Sequence, residues 1–477
     1  MIGRPAGGIT LTFMQHVSVS SAEFRGGPRR AQMRMLMSSR VPHADLRNQH
    51  YCEWIAFLRS SERWSADQIA DYQLRQIREM VRHAYLKTAG YRRLFDQAGV
   101  GPHSIKRTED IQCLPFVEKE LIRDHLEDYS APGPGRAYVT TGGSTGIPFG
   151  FYRDKVAFSR ELASKAHQYY RIGWKEGDRQ MVFRGLPLTA GRHMQMYPSL
   201  CELRCSSYHL VPEVMEVYRK RAFDYCPEWV KCYPSAGYIF ARFLKEARRP
   251  FPRVKGVLCA SENLYGFQKE LMAEVFQARI FSHYGHYELA ALAGFCEHAD
   301  TYHVVPQYGY VELLGRDGKV VTEPGQMGEI VATSFLMRAT PFIRYRTQDV
   351  ATLKGYGCSC CGRPHQIWEK VDGRLQEFAV TGTGRLISMT AINMHDDIFD
   401  HVRQFQFHQR EQGRIVFRYI PTDSCTDSVV RNIKTRLAVK FGDDVHLEMQ
   451  AVNNIPLTLR RKHRFLIQEL KLGFGDN

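Results

Sequence analysis

The chain has 477 residues, 44% of them hydrophobic and 24% charged, with 38 glycines and 21 prolines, a balance that excludes a largely disordered, collagen-like or disulfide-scaffold protein and suits roughly two to four domains. A mean hydropathy of -0.37, with no apolar run near the roughly 18 residues that cross a bilayer, excludes a transmembrane helix. Sixty-five basic against fifty acidic side chains leave +15, which raises nucleic acid, anionic lipid or a phosphate-rich ligand as partners without choosing among them.

Residues 1–50 carry seven Arg against Glu23 and Asp45, with Gly7-Gly8 and Gly26-Gly27-Pro28 and no sustained period. This predicts a flexible basic extension over 1–48, or an early start codon. "GGITLTF" has neither the apolar core nor the small-residue cleavage site of a secretory signal. Twelve irregularly spread cysteines then read as reduced thiols of a cytoplasmic protein.

From Asp71, Leu74, Ile77, Val81, Ala84 and Tyr85 recur at helical spacing, with a stop near Gly90. "VEKELIRDHLEDY" is a second helical stretch, and both precede the glycine-rich "AYVTTGGSTGIPFGFYRD". Between 155 and 345, strand-like "QMVFRGL", "VKGVLCA" and "ARIFSHYG" alternate with helical "SAGYIFARFLKEARR" and "NLYGFQKELMAEVFQ", the pattern of an α/β domain with a largely parallel sheet. After Asp349, "RQFQFHQ", "RIVFRYI", "SVVRNIKTRLAVKFG" and "VHLEMQAV" read strand, strand, helix, strand: a compact α+β unit of about 100 residues. The expected division is 49–373 and 374–477, with Gly373 of Asp372-Gly373-Arg374 as a hinge or an ordinary loop glycine.

Four segments carry chemistry. In "TTGGSTG", Gly142, Gly143 and Gly146 let the backbone approach a polyphosphate, while Thr140, Thr141, Ser144 and Thr145 supply hydroxyls. Ile147 stands where a P-loop has Lys, so the segment is either another kind of phosphate cradle or a flexible linker. "SHYGHYELA" places Tyr284-Gly285 ahead of Glu288, a ring to stack on a base and a carboxylate to hold magnesium, or else core and solvated side chains. "FIRYRTQDVA" groups Arg344, Arg346, Thr347 and Asp349, which suits phosphate and ribose, or a salt-bridge cluster on a surface turn. "LTLRRKHRFLI" offers Arg460, Arg461, Lys462 and Arg464, a source of a lysine for a reacting phosphate or a solvated basic face.

The order and spacing of these motifs resemble the adenylate-forming acyl ligases, and within them the phenylacetate-CoA ligase branch with its capsular-polysaccharide-associated relatives. "TTGGSTGIP" is similar to that family's ATP phosphate loop, "YGHYE" to its adenine and magnesium motif, "RYRTQD" to its ribose motif, "DGRLQEF" to its hinge and "LRRKHRFLI" to the segment of its C-terminal catalytic lysine. "MVRHAYLKTAGYRRLFDQAGV" and "LPFVEKELIRDH" extend the likeness, which spans about residues 70–470. It implies a large N-terminal adenylation domain and a smaller mobile α+β domain. It also implies that residues 140–146 hold the ATP phosphates, with Thr145 catalytic, and that Tyr284 and Gly285 border adenine alongside Ser261-Glu262. Glu288 would bind magnesium, Asp349 the ribose, Arg374 the nucleotide or hinge, and Lys462 would promote adenylation.

Three departures stand out: Gln348 replaces the family glycine before Asp349, Gln376-Glu377 an acidic pair, and Arg461 the glycine before Lys462. The cysteines fit the same family, which implies a structural zinc on Cys296, His303, Cys358 and Cys361, with Cys360 as a substitute and His365 outside the ligand set. The implied reaction is ATP-dependent activation of a small carboxylic acid, aryl or arylacetic, followed by acyl transfer to coenzyme A. Tyr233, Pro234, Ser235 and Tyr238 are candidate pocket walls or helix packing. Alternatives are transfer to an amine or sugar acceptor, or a zinc-stabilised basic protein that has lost catalysis and binds nucleic acid; the latter is disfavoured because no nucleic-acid motif is present.

Overall fold

A computed structural model describes residues 47–140, 149–184, 192–207, 209–374, 377–389, 401–456, 464–470 and 472. The expected extension therefore lies outside the described residues except for Arg47 and Asn48. Arg47 pairs with Glu176 at 2.8 Å, and the Asn48 side chain accepts from the Tyr51 N–H to cap α1 (Gln49–Ser60).

Helix α2 (Ala66–Lys87) begins with a Ser65/Gln68 capping box and buries Ile77, Val81 and Ala84. The expected stop near Gly90 comes two residues earlier, because Thr88 turns extended and α3 (Ala89–Gln97) starts at once. Gly90 sits inside α3, where a Cβ would lie 2.7 Å from the Tyr129 ring. That close approach explains the glycine better than a helix end does. The second expected helix shrinks to α4 (Lys119–Asp124). Strands β1 (Arg136–Thr140) and β2 (Gly150–Asp154) pair antiparallel from Thr140↔Gly150 and lead into α5 (Lys155–Arg171).

The main sheet has twelve strands. Its first half comprises β3 (Gln180–Arg184), β4 (Met194–Tyr197), β5 (Glu202–Ser206), β6 (Trp229–Cys232), β7 (Gly256–Ala260) and β8 (Arg279–Gly285). Here β5-β3-β6-β7-β8 run parallel, joined through α6 (Pro212–Tyr225), α7 (Pro234–Glu246) and α8 (Gly266–Phe276), and β4 is an antiparallel edge. Helices α6 to α8 cover one face over Phe183, Val230, Val257 and Ile280. Helix α5 and the N-terminal helices cover the other over Trp229, Leu258 and Phe281.

Beyond Gly285 the expected parallel order gives way. β9 (Leu292–Phe295), β10 (Tyr302–Val304), β11 (Gly309–Leu314), β12 (Met327–Ser334), β13 (Tyr345–Tyr356) and β14 (Gln366–Arg374) all pair antiparallel, in the order β8-β9-β10-β14-β13-β12-β11. The reason is connection length: the short links after β8 and β9 cannot hold the crossover that parallel neighbours need.

A smaller α+β unit follows. After the hairpin β15 (Phe378–Val380) and β16 (Leu386–Ser388), a four-stranded sheet, β19-β18-β17-β20, is built from β17 (Val402–Glu411), β18 (Arg414–Pro421), β19 (His446–Ala451) and β20 (Leu466–Gln468). Helix α9 (Asp427–Phe441) packs Ile433, Leu437 and Phe441 against Phe407 and Phe417, and Tyr265 meets Phe465 with ring centroids 4.8 Å apart. This strand–strand–helix–strand order is the one the alternation in the sequence implies. Among the described residues, no helix is long and apolar enough to cross a membrane.

Candidate active site

Asp349 lies directly opposite Arg374 in the β13–β14 pair, and Arg374 Nε reaches Asp349 Oδ1 at 3.3 Å. The hydroxyl of Tyr284, near the end of β8, donates to Asp349 Oδ2 at 2.8 Å. The Tyr284 ring sits edge-on to Trp368 and His286. The structure thus joins three residues that the sequence offers from separate segments. All three stay half-buried, so the cluster is reachable.

Glu288, buried just past β8, accepts from the Tyr345 hydroxyl at 3.1 Å and lies 3.3 Å from His286 Nδ1. Burial pushes its carboxyl up, but the His286 contact and the positive charges of His286 and Lys119 outweigh that and hold it down at about 2. It is ionised at neutral pH, the form a magnesium ion requires. Gly285 closes β8.

The arginines of "RYRTQD" are neither phosphate ligands nor a surface cluster. Arg344 forks onto Glu312 at 2.9 and 3.1 Å, and Arg346 onto Glu329 at 2.7 and 3.0 Å, all of them buried. Gln348 adopts φ 62°, the left-handed region, and its N–H donates to Glu329 Oε1 at 3.1 Å. Thr347 Oγ1 accepts from the Asp349 N–H at 3.1 Å, fixing the turn that presents Asp349.

Ser261 follows β7 with φ 69°, and Glu262 Oε2 accepts from the Ser235 N–H at 3.0 Å. That contact caps the start of α7. Pro234 is buried in α7 and Tyr238 packs edge-on against Phe267. At the other side, Asn263 Nδ2 donates to Glu377 Oε2 at 2.8 Å. Gly373, at φ 104°, lies so close beneath them that a Cβ would sit 2.3 Å from Asn263 and 2.4 Å from Glu377. Burial raises the Glu377 carboxyl to about 7 despite the nearby Arg374 charge.

Thr140 ends β1. Thr141, Gly142, Gly143, Ser144, Thr145 and Gly146 lie outside the described residues, as does Lys462. His286, Tyr345, Asn263 and Glu377 escaped the sequence reading. His286, Tyr345 and Glu377 had a local signal, each lying inside a recognised motif.

Cys296 follows β9, His303 lies in β10, and Cys358 and Cys361 sit in the turn between β13 and β14. Their ligand atoms all fall within 4.8 Å of one another, with Cys296 and Cys358 sulfurs 3.9 Å apart and Cys361 Sγ 3.9 Å from His303 Nε2. The His298 N–H donates to Cys296 Sγ at 3.4 Å. Burial, then the Arg171 and Arg363 charges, push the His303 imidazole down to about 4, leaving it neutral as a metal ligand must be. Cys360 is exposed and outside the group. His365 is buried against the His303 ring at 5.5 Å and is not among the four; it is not a surface residue.

No family model matches the sequence. The chain is 22% identical to Staphylococcus aureus protein CapK over 376 residues, 76% of this chain and 81% of CapK. It is 23% identical to the phenylacetate-coenzyme A ligase of Thermus thermophilus over 419 residues, 79% of this chain and 90% of that one. Among solved structures, 2-hydroxyisobutyryl-CoA ligase in its postadenylation state superposes with a TM-score of 0.65 at 18% identity, covering 83% of this chain and 88% of the ligase. The chain is therefore a homologue of proteins named CapK and phenylacetate-coenzyme A ligase, and it has the fold of the adenylate-forming CoA ligases.

Proposed function

We propose that this protein uses ATP to activate a carboxylic acid, aryl or arylacetic, and passes the acyl group to coenzyme A. The observation that carries the reading is the convergence of Tyr284 and Arg374 on Asp349 beside ionised Glu288. Names of the relatives support it: phenylacetate-coenzyme A ligase and 2-hydroxyisobutyryl-CoA ligase.

With one oxygen held by Tyr284 and the other by Arg374, the Asp349 carboxylate is fixed, and its remaining lone pairs accept the ribose hydroxyls. The Tyr284 ring and Gly285 border the adenine, and Ser261-Glu262 lie on the neighbouring strand end. Residues 140–146 hold the phosphates, Thr145 among them. Glu288 fits a magnesium ion through its buried, ionised carboxylate, and that ion would neutralise phosphate charge. The acid's carboxylate oxygen attacks the α-phosphorus, pyrophosphate leaves, and Lys462 stabilises the charge that develops. The thiol of coenzyme A then forms the C–S bond as the acyl–phosphate C–O bond breaks and AMP departs. The unit 374–477 turns about Gly373 between the two steps.

Cys296, His303, Cys358 and Cys361 have the donor set of a closed tetrahedral zinc site. Zinc held by these four would tie the β13–β14 turn to β9 and β10. All twelve cysteines are free thiols, which fits a cytoplasmic home.

Acid-dependent exchange of labelled pyrophosphate into ATP, run over aryl, arylacetic and aliphatic acids, tests the reading. Exchange with at least one acid supports it, and none across the panel, with no ATP binding, refutes it.

A further inference from the structure

At the carboxyl ends of the parallel strands the α5 face of the sheet carries a cluster of basic side chains. Register places Lys231 beside Leu258 and Val182, and Ala260 beside His283. Lys231, Arg184 and His283 therefore share the face that bears Trp229, Leu258 and Phe281, near the carboxyl ends of the strands, where the small Ala260 lies beside His283. Ligands bind at such strand ends in open α/β sheets. His283 directly precedes Tyr284 in β8, so this cluster and the nucleotide cluster share a strand end.

Its charge is unbalanced. Lys165 pairs with Glu161, and Arg204 pairs with Glu202 at 2.7 Å. Lys231 and Arg184 have no ion pair among the described residues. The Lys231 ammonium instead lies 5.3 Å from the Tyr169 ring centroid, and the Tyr169 hydroxyl bonds His283 Nδ1 at 3.2 Å. Among the described residues the counter-charge acting on Lys231 is Glu202, which is shared with Arg184 and already bonded to Arg204, and a half-buried lysine so poorly balanced is costly to keep. Burial, then Arg184, pull it down to about 7. An anion arriving there would restore the charge and gain charge-assisted hydrogen bonds.

We infer that Lys231 and Arg184 recognise a second carboxylate on the acid, so that the substrates are dicarboxylic acids, activated at one end and held at the other. This rests on the acid-ligase reading above. Neutral His283 offers a hydrogen bond to the same group.

The test compares matched acids in pyrophosphate exchange: 4-carboxyphenylacetate against 4-methylphenylacetate, and glutarate against pentanoate. The parent enzyme is expected to favour the diacid in kcat/KM by at least about tenfold, one charge-assisted contact's worth. In Lys231→Met that ratio falls toward one through KM, while Lys231→Arg keeps most of it. Replacing an unpaired, half-buried ammonium with an apolar chain of similar length should leave the fold intact, and thermal unfolding checks this. Preference for the uncharged partner, or a diacid ratio unchanged in Lys231→Met, overturns the inference while leaving the ligase reading standing. Should no acid support exchange, calorimetric binding of the two diacids decides: binding lost in Lys231→Met upholds the anion site without the ligase, and no binding by the parent overturns it.

Discussion

Tyr284 hydrogen-bonds Asp349 at 2.8 Å although β9, β10 and β14 lie between their strands in the sheet order. In a flat sheet four strand spacings would separate β8 from β13 by about 19 Å. The antiparallel half must therefore coil strongly, and the coil is what brings the Tyr284 ring and the Asp349 carboxylate together.

Asp349→Ala should weaken ATP binding by at least about tenfold, the loss of two hydroxyl contacts to a charged acceptor. Tyr284→Phe should cost less, on the order of 1 kcal/mol in stability, with a smaller loss of affinity. Calorimetric titration with ATP measures both; unchanged affinity in Asp349→Ala would remove the ribose role.

Gln348 occupies a left-handed backbone position that glycine adopts without steric cost. Gln348→Gly is expected to raise stability by up to about 1 kcal/mol in urea unfolding, and Gln348→Val to lower it by more than about 1 kcal/mol. A destabilised glycine variant would mean that the Gln348 side chain earns its place through contacts of its own.

Most of the fold was legible because β3, β7, β8, α7, α8 and α9 carry their period in their own residues. The antiparallel half was not: Leu292–Phe295 and Tyr302–Val304 are too short to show alternation, and their direction depends on loop length. Within the site, Tyr284, Glu288, Asp349 and Arg374 could be read because each sits in a motif. The bonds of Tyr345 and Asn263 could not, since they reach Glu288 and Glu377 across 57 and 114 residues. The arginines of "RYRTQD" misled because their partners, Glu312 and Glu329, lie on other strands.

Glu377 has a folded-state value of about 7 against an ordinary 4.5. The folded protein keeps a proton that the unfolded chain releases, so this contribution to stability is full below about pH 4.5 and is lost as pH rises through 7. Glu377→Gln should flatten that slope and stabilise the protein at pH 8 by on the order of 3 kcal/mol. Unfolding curves at pH 5 and pH 8 read the difference, and a parallel pH slope in the variant would contradict the assignment.

Metal analysis of the purified protein should find zinc in equimolar amount. Cys358→Ser should lose the metal and several degrees of thermal stability, whereas Cys360→Ser should keep both because Cys360 lies outside the cluster. The reverse pattern would move the ligand set to Cys360.

The most direct measurement is mass-spectrometric detection of an acyl adenylate formed from ATP, magnesium and an acid panel, in the parent and in Lys462→Ala. The account predicts an acid-specific adenylate in the parent, consumed when coenzyme A is added, and at least about a hundredfold less of it in the variant. No adenylate from any acid, or equal amounts with and without Lys462, would contradict it.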